Sequence, residues 1–99
     1  MPSDEEIRIA LRQVIDAEVG INIVDLGLVY GIEEKDGALR IKMTMTTRSC
    51  PLGELITREA EEVIRRSFPQ IKSVRAEIVW EPPWNASMMS PAAKERLGG

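Results

Sequence analysis

At 99 residues, 43% hydrophobic and 29% charged, the chain has the size and composition of one compact domain rather than of a disordered or fibrous protein. A net charge of −3 with scattered Lys and Arg argues against nucleic acid as the ligand, because phosphate binding needs clustered cations. The absence of histidine and the single cysteine exclude a Ser/Cys–His relay, a histidine metal centre and an internal disulfide.

A domain of this size buries a modest share of its surface, which leaves room for a homodimer or another partner to cover an exposed apolar patch. The start, Met1-Pro2-Ser3-Asp4-Glu5-Glu6, is acidic where a signal peptide is basic and then apolar. No apolar run reaches the length of a membrane span. A lone cysteine suits a reducing compartment. The expectation is one cytoplasmic domain over 1–99, with no membrane and no nucleic-acid partner.

Ser3 followed by Glu6 forms a capping-box pattern, and Ile7, Ala10, Leu11, Val14 and Ile15 then keep helical spacing. The spacing predicts a first helix ending near Asp16, with Gly20 and Asn22 in the loop that follows. Leu28, Tyr30 and Ile32 alternate with Val29, Gly31 and Glu33, which predicts a strand. Asp36-Gly37 predicts a hairpin. The returning strand puts Leu39, Ile41, Met43 and Met45 on one face and Arg40, Lys42, Thr44 and Thr46 on the other.

Pro51 is well suited to the first position of a second helix, whose apolar face is Leu52, Leu55, Ile56, Ala60, Val63 and Ile64 and whose end is Phe68-Pro69. A third strand carries Val74, Ala76, Ile78 and Trp80 on one face. After Pro82-Pro83-Trp84, Ser90-Pro91 starts a short terminal helix. The fold class expected is α+β, a two-layer α-β-β-α-β arrangement with a three-stranded mixed sheet in spatial order 1-2-3. The second helix is a right-handed crossover that sets the third strand parallel to the second. Each strand has one apolar face, so both long helices pack on one side.

The chemistry concentrates in Met45-Thr46-Thr47-Arg48-Ser49-Cys50-Pro51-Leu52, which leaves a strand and enters a helix. Cys50 falls at or beside the helix N-cap, where unpaired N–H groups and the helix dipole favour a thiolate, with Arg48 adding to the effect. Gly53 clears space in the first turn, and Thr46 and Thr47 offer hydroxyls on the same rim. Two readings stand side by side at this point: a functional thiol, or an inert, buried small hydrophobe.

Asp16-Ala17-Glu18 supplies two carboxylates in a loop able to reach the second helix's start, or simply a solvated acidic loop. Asp25 before Leu26-Gly27 reads as a turn or cap. Trp80, Trp84 and Met88-Met89 form either a partner patch or a tail folded on the sheet. Cys-x-x-Cys, the phosphate-binding Gly-rich loop and the Gly-x-Ser-x-Gly elbow are all missing from the sequence. Cys50 and Arg58 do not have phosphatase spacing. Thr47-x-x-Cys50 has the spacing of a thiol peroxidase without the rest of a thioredoxin-like chain.

Asp16-Ala17-Glu18-Val19-Gly20, Val24-Asp25-Leu26-Gly27-Leu28-Val29-Tyr30, Thr46-Thr47-Arg48-Ser49-Cys50-Pro51-Leu52 and Trp80-Glu81-Pro82-Pro83-Trp84 occur in that order. Together with Met88-Met89-Ser90 they resemble the iron–sulfur cluster assembly domains of the SufT and PaaD type over nearly the whole chain. The resemblance implies a non-enzymatic maturation factor, an accessory carrier or targeting adapter. It implies a site of Asp16, Glu18, Thr46, Thr47 and Cys50, with Cys50 as a transient cluster ligand. The implied partners are iron–sulfur carrier or scaffold proteins and client apoproteins.

Ala17 stands where members commonly have Pro, and the extra C-terminal cysteines of PaaD-type proteins are absent. Clusters are held mostly by cysteine thiolates, four in the common types. One thiol per chain, or two in a symmetric dimer, therefore implies a transient iron–sulfur cluster and no permanent cofactor. The alternatives are a structural or adapter subunit of a multiprotein oxidoreductase complex whose cysteine is dispensable, and a thiol-dependent enzyme using Asp16 or Glu18 for proton transfer.

Overall fold

Ser3 caps the first helix, α1 (Asp4–Leu11), by accepting the Glu6 N–H at 3.1 Å, while the Glu6 carboxylate accepts the Ser3 N–H at 3.1 Å. This reciprocal arrangement is the one the Ser3/Glu6 spacing predicts. The structure, a computed structural model, describes residues 2–17, 19–46 and 53–96. Ile7, Ala10 and Leu11 form the buried face of α1.

The helix stops earlier than its spacing predicts. Gln13 and Val14 donate to the carbonyls of Ala10 and Leu11, a tightening typical of a helix's last turn. Ile15–Asp16 is then a short strand, β1, paired antiparallel with β2 (Ile21–Asn22). Val14 and Ile15 are both β-branched, stiff at χ1 and better suited to extended backbone than to a helix end. Val14 is still buried, but Ile15, expected on the helix's inner face, is exposed.

β3 (Val29–Lys35) and β4 (Ala38–Met43) form the expected hairpin around Asp36 (φ 53°) and Gly37 (φ 85°), the left-handed pair that a two-residue turn requires. The antiparallel register runs from Lys35 opposite Ala38 to Val29 opposite Met43. It shifts between Val29 and Gly31, so Tyr30 is an extra residue, a bulge that alternation alone does not reveal.

α2 (Gly53–Ser67) carries the chain across to β5 (Ser73–Ile78), which lies parallel to β4 with Leu39 opposite Val74 and Met43 opposite Ile78. The sheet order is β3-β4-β5, as expected. Pro69 restricts Phe68 and closes the helix.

α2 packs on β5, and α1 packs on α2, so the two long helices share one layer. Ile7, Leu11, Ile56 and Ile64 from that layer meet Leu39, Ile41 and Met43 from the sheet in one core. On the other face Arg40 pairs with Glu77 at 2.6 Å and Lys42 with Glu33 at 2.9 Å. Thr44, expected on this polar face, is instead fully buried.

The C-terminal segment folds back as a strap, with a short 3-10 turn (Ala86–Met88) and α3 (Pro91–Arg96). Its grip is specific. The Trp84 indole N–H donates to the Leu26 carbonyl at 2.7 Å, and the Ser90 N–H to the Asp25 carbonyl at 2.7 Å. The Tyr30 hydroxyl donates to the Pro82 carbonyl at 2.7 Å.

Candidate functional site

Residues 44–46 continue from the carboxyl end of β4 and Gly53 begins α2, so the cysteine-bearing run joins these two elements in sequence. Thr46 is half-buried there. Glu18, Thr47, Arg48 and Cys50 lie outside the described residues, as does Pro51, the expected helix start. Of the five residues singled out in the sequence, Asp16 and Thr46 are described.

A chain of backbone hydrogen bonds connects their surroundings. The Thr44 N–H donates to Leu28 at 2.8 Å, the Leu28 N–H to Ile23 at 3.0 Å, and the Ile23 N–H to Val14 at 3.0 Å. The β1–β2 hairpin is thereby fastened to the end of β4 that leads into the cysteine run. Asp16 sits in this hairpin at 1% exposure, and the residue is engaged there rather than free. Its carbonyl accepts the Val19 and Gly20 N–H groups at 3.2 and 2.8 Å, and Gly20 takes φ 70° to complete the turn. A solvated acidic loop is therefore the wrong description of Asp16, because a carboxylic residue so deeply buried has to be held by partners.

Asp25 is a turn residue, as its position suggests. Its N–H donates to Asn22 Oδ1 at 2.9 Å, its carboxylate accepts from Asn22 Nδ2 at 2.9 Å, and Arg12 stands 3.9 Å away. Gly27 follows at φ 80°, and a Cβ there would lie 2.8 Å from the Met88 carbonyl carbon. Only glycine lets the loop and the strap approach this closely.

Gly53 has a packing role that its spacing from Cys50 does not reveal. A Cβ on it would meet Ile78 Cδ1 at 3.1 Å and Met45 Cγ at 3.7 Å, so its missing side chain brings the start of α2 down onto the sheet. Thr44, directly before Met45, is 0% exposed, and its hydroxyl has no hydrogen-bond partner among the described residues. Burying such a group unpaired costs about 1–3 kcal/mol.

Sequence reasoning missed a cleft of about 610 Å3 at the same end of the sheet. Val29, Tyr30, Lys42 and Val79 line it from the sheet side, and Pro82 and Met88 from the strap. The extra residue in β3 puts Tyr30 at its wall, where the hydroxyl also lies 3.5 Å from the Met88 sulfur. Trp84 and Met89 pack against the core, which identifies the tail as folded structure. Among the described residues no group of three or more Cys, Asp or Glu side chains is placed to hold a metal ion. Nor is any described helix long and apolar enough to cross a membrane.

A mixed three-stranded sheet under two helices, with a buried aspartate fastened beside a strand that runs towards a lone cysteine, defines a small α+β domain. The iron–sulfur cluster assembly protein family model matches residues 4–78. The chain belongs to this family.

Over 95 residues it is 43% identical to the Fe-S protein maturation auxiliary factor YitW of Bacillus subtilis, covering 95% of this chain and 92% of that one. It is 44% identical over 86 residues to the Fe-S protein maturation auxiliary factor SufT of Staphylococcus aureus, covering 86% of this chain and 97% of that one. A crystal structure of a domain of unknown function from Bacillus anthracis superposes with a TM-score of 0.92 at 35% identity, covering 96% of this chain and 91% of that one.

Proposed function

We propose that this chain is an auxiliary factor in iron–sulfur protein maturation that acts in the cytoplasm through Cys50, without catalysing turnover and without owning a permanent cluster. The observation that carries this reading is the fastening of the buried Asp16 hairpin to the strand end from which the chain runs to its single cysteine. Family membership and the maturation-factor relatives support the same reading. Cys50, Asp16, Glu18, Thr46 and Thr47 are its working residues, and the cluster is cargo.

The stoichiometry supports transience. Four thiolates hold the common clusters, and each chain contributes one. A carrier, scaffold or client apoprotein has to supply the rest, so Cys50 works as one ligand in a shared, short-lived site. Iron and sulfide analysis of freshly purified protein under anaerobic conditions, beside Cys50→Ala, tests this. The expected result is a nearly colourless protein with far less than one cluster per chain. A full cluster that survives gel filtration and disappears in Cys50→Ala would contradict it.

A further inference from the structure

The two edges of the main sheet are treated differently. On β5 the outward Ala76 N–H is taken by the Glu61 carboxylate, which reaches over from α2 at 2.9 Å. On β3 no backbone–backbone hydrogen bond between described residues reaches residues 29–35 from outside β4. An unpaired edge of this length is a template for another strand. Natural edges are commonly blunted by charge, and here Glu33, Glu34 and Lys35 are exposed at one end only. The other end offers the half-exposed Ile32 and then Gly31, above which a Cβ would meet nothing within 4 Å.

The geometry points to β3 as a docking edge for an extended segment of a partner protein, added antiparallel. That segment carries basic residues across from Glu33 and Glu34, an aliphatic residue across from Ile32, and an aromatic one over Gly31 beside Tyr30. Register supports the assignment of faces. Ile32 and Glu34 share the side of Ile41 and Leu39, whereas Gly31 and Glu33 share the side of Lys42 and Arg40. A large side chain over an edge glycine recovers packing that the glycine lacks. Cross-strand opposite charges stabilise pairing, and like charges oppose it. A second copy of this chain is the weaker occupant, since β3 paired antiparallel with itself about Ile32 would set Glu33 and Glu34 across from Gly31 and Tyr30, with no cation opposite them. The docking edge stands apart from Cys50 and does not depend on its role.

The probe is the synthetic peptide acetyl-Thr-Lys-Arg-Val-Trp-Val-Thr-amide, followed by amide NMR and hydrogen exchange on the full chain. The expected result is saturable binding in the millimolar range or tighter, with shifts and slowed exchange confined to residues 29–35 and their neighbours. Glu34→Lys weakens binding about fivefold, whereas Glu62→Lys, an exposed charge reversal on α2, leaves it unchanged. Cys50→Ser protein binds like the wild type, so failure here leaves the maturation reading intact. Shifts centred elsewhere, equal loss in both charge variants, or no binding at millimolar peptide would overturn the proposal. So would β3 amides already protected by self-association in the free protein.

Discussion

The unit running from β3 through β4 and α2 to β5 and the joint made by residues 12–28 with the strap are built on different principles. The first repeats. Every strand residue of β4 from Ala38 to Met43 has a register partner on both sides, and Leu39, Ile41 and Met43 enter one core. The second is assembled from separate contacts: single backbone bonds from Thr44 to Leu28 and from Ile23 to Val14, an indole bond from Trp84 to Leu26, and a glycine against Met88. A periodic unit spreads the effect of a single substitution. A joint of separate contacts concentrates it, and the joint is where the proposed site residue Asp16 lies.

Gly27→Ala gives the largest expected break in that comparison. It combines a left-handed backbone position with direct overlap on the Met88 backbone, so it destabilises by about 3 kcal/mol. Urea unfolding checks this; a loss under about 1 kcal/mol would show that loop and strap adjust independently. Thr44→Val is expected to act in the opposite direction. It keeps the shape and removes a buried hydroxyl without a partner among the described residues, stabilising the protein by about 1 kcal/mol. A destabilised Thr44→Val protein would mean that the hydroxyl is used.

The smallest effect belongs to the polar face of the regular unit. The hydrogen bond from Lys42 and then its charge hold the Glu33 carboxyl below its usual range. With the folded value depressed, the pair's contribution is present above the unfolded carboxylate pKa and is lost as pH falls through the folded one. Lys42→Met therefore moves the Glu33 midpoint upward, read by carboxyl carbon NMR titration, and an unchanged midpoint would remove the pair from the account. Both groups are solvent-exposed, so stability near neutral pH hardly changes.

The same division explains what could be read from the sequence. Alternation through Leu39, Ile41 and Met43, the Asp36-Gly37 turn and the Ser3/Glu6 cap are local signals, and each appears in the structure. The helical spacing that continues through Val14 and Ile15 misleads, because Val14 is buried on either path and only tertiary pairing with Ile21–Asn22 selects the strand. The extra residue at Tyr30 is invisible to a period-two pattern because it is defined by its partners Met43 and Lys42. At the site, the burial of Asp16 depends on hydrogen bonds between segments far apart in sequence, so composition suggested a solvated loop.

The central claim is that Cys50 carries the maturation role, and complementation tests it most directly. In cells lacking the native protein, a Cys50→Ser variant, which exchanges one sulfur for an oxygen and keeps the side chain small, should be expressed at wild-type level and fold normally. The account predicts that this variant fails to restore cluster-dependent enzyme activity while the wild type does. Full rescue by stable Cys50→Ser protein would contradict the thiol mechanism and leave an adapter without a working cysteine.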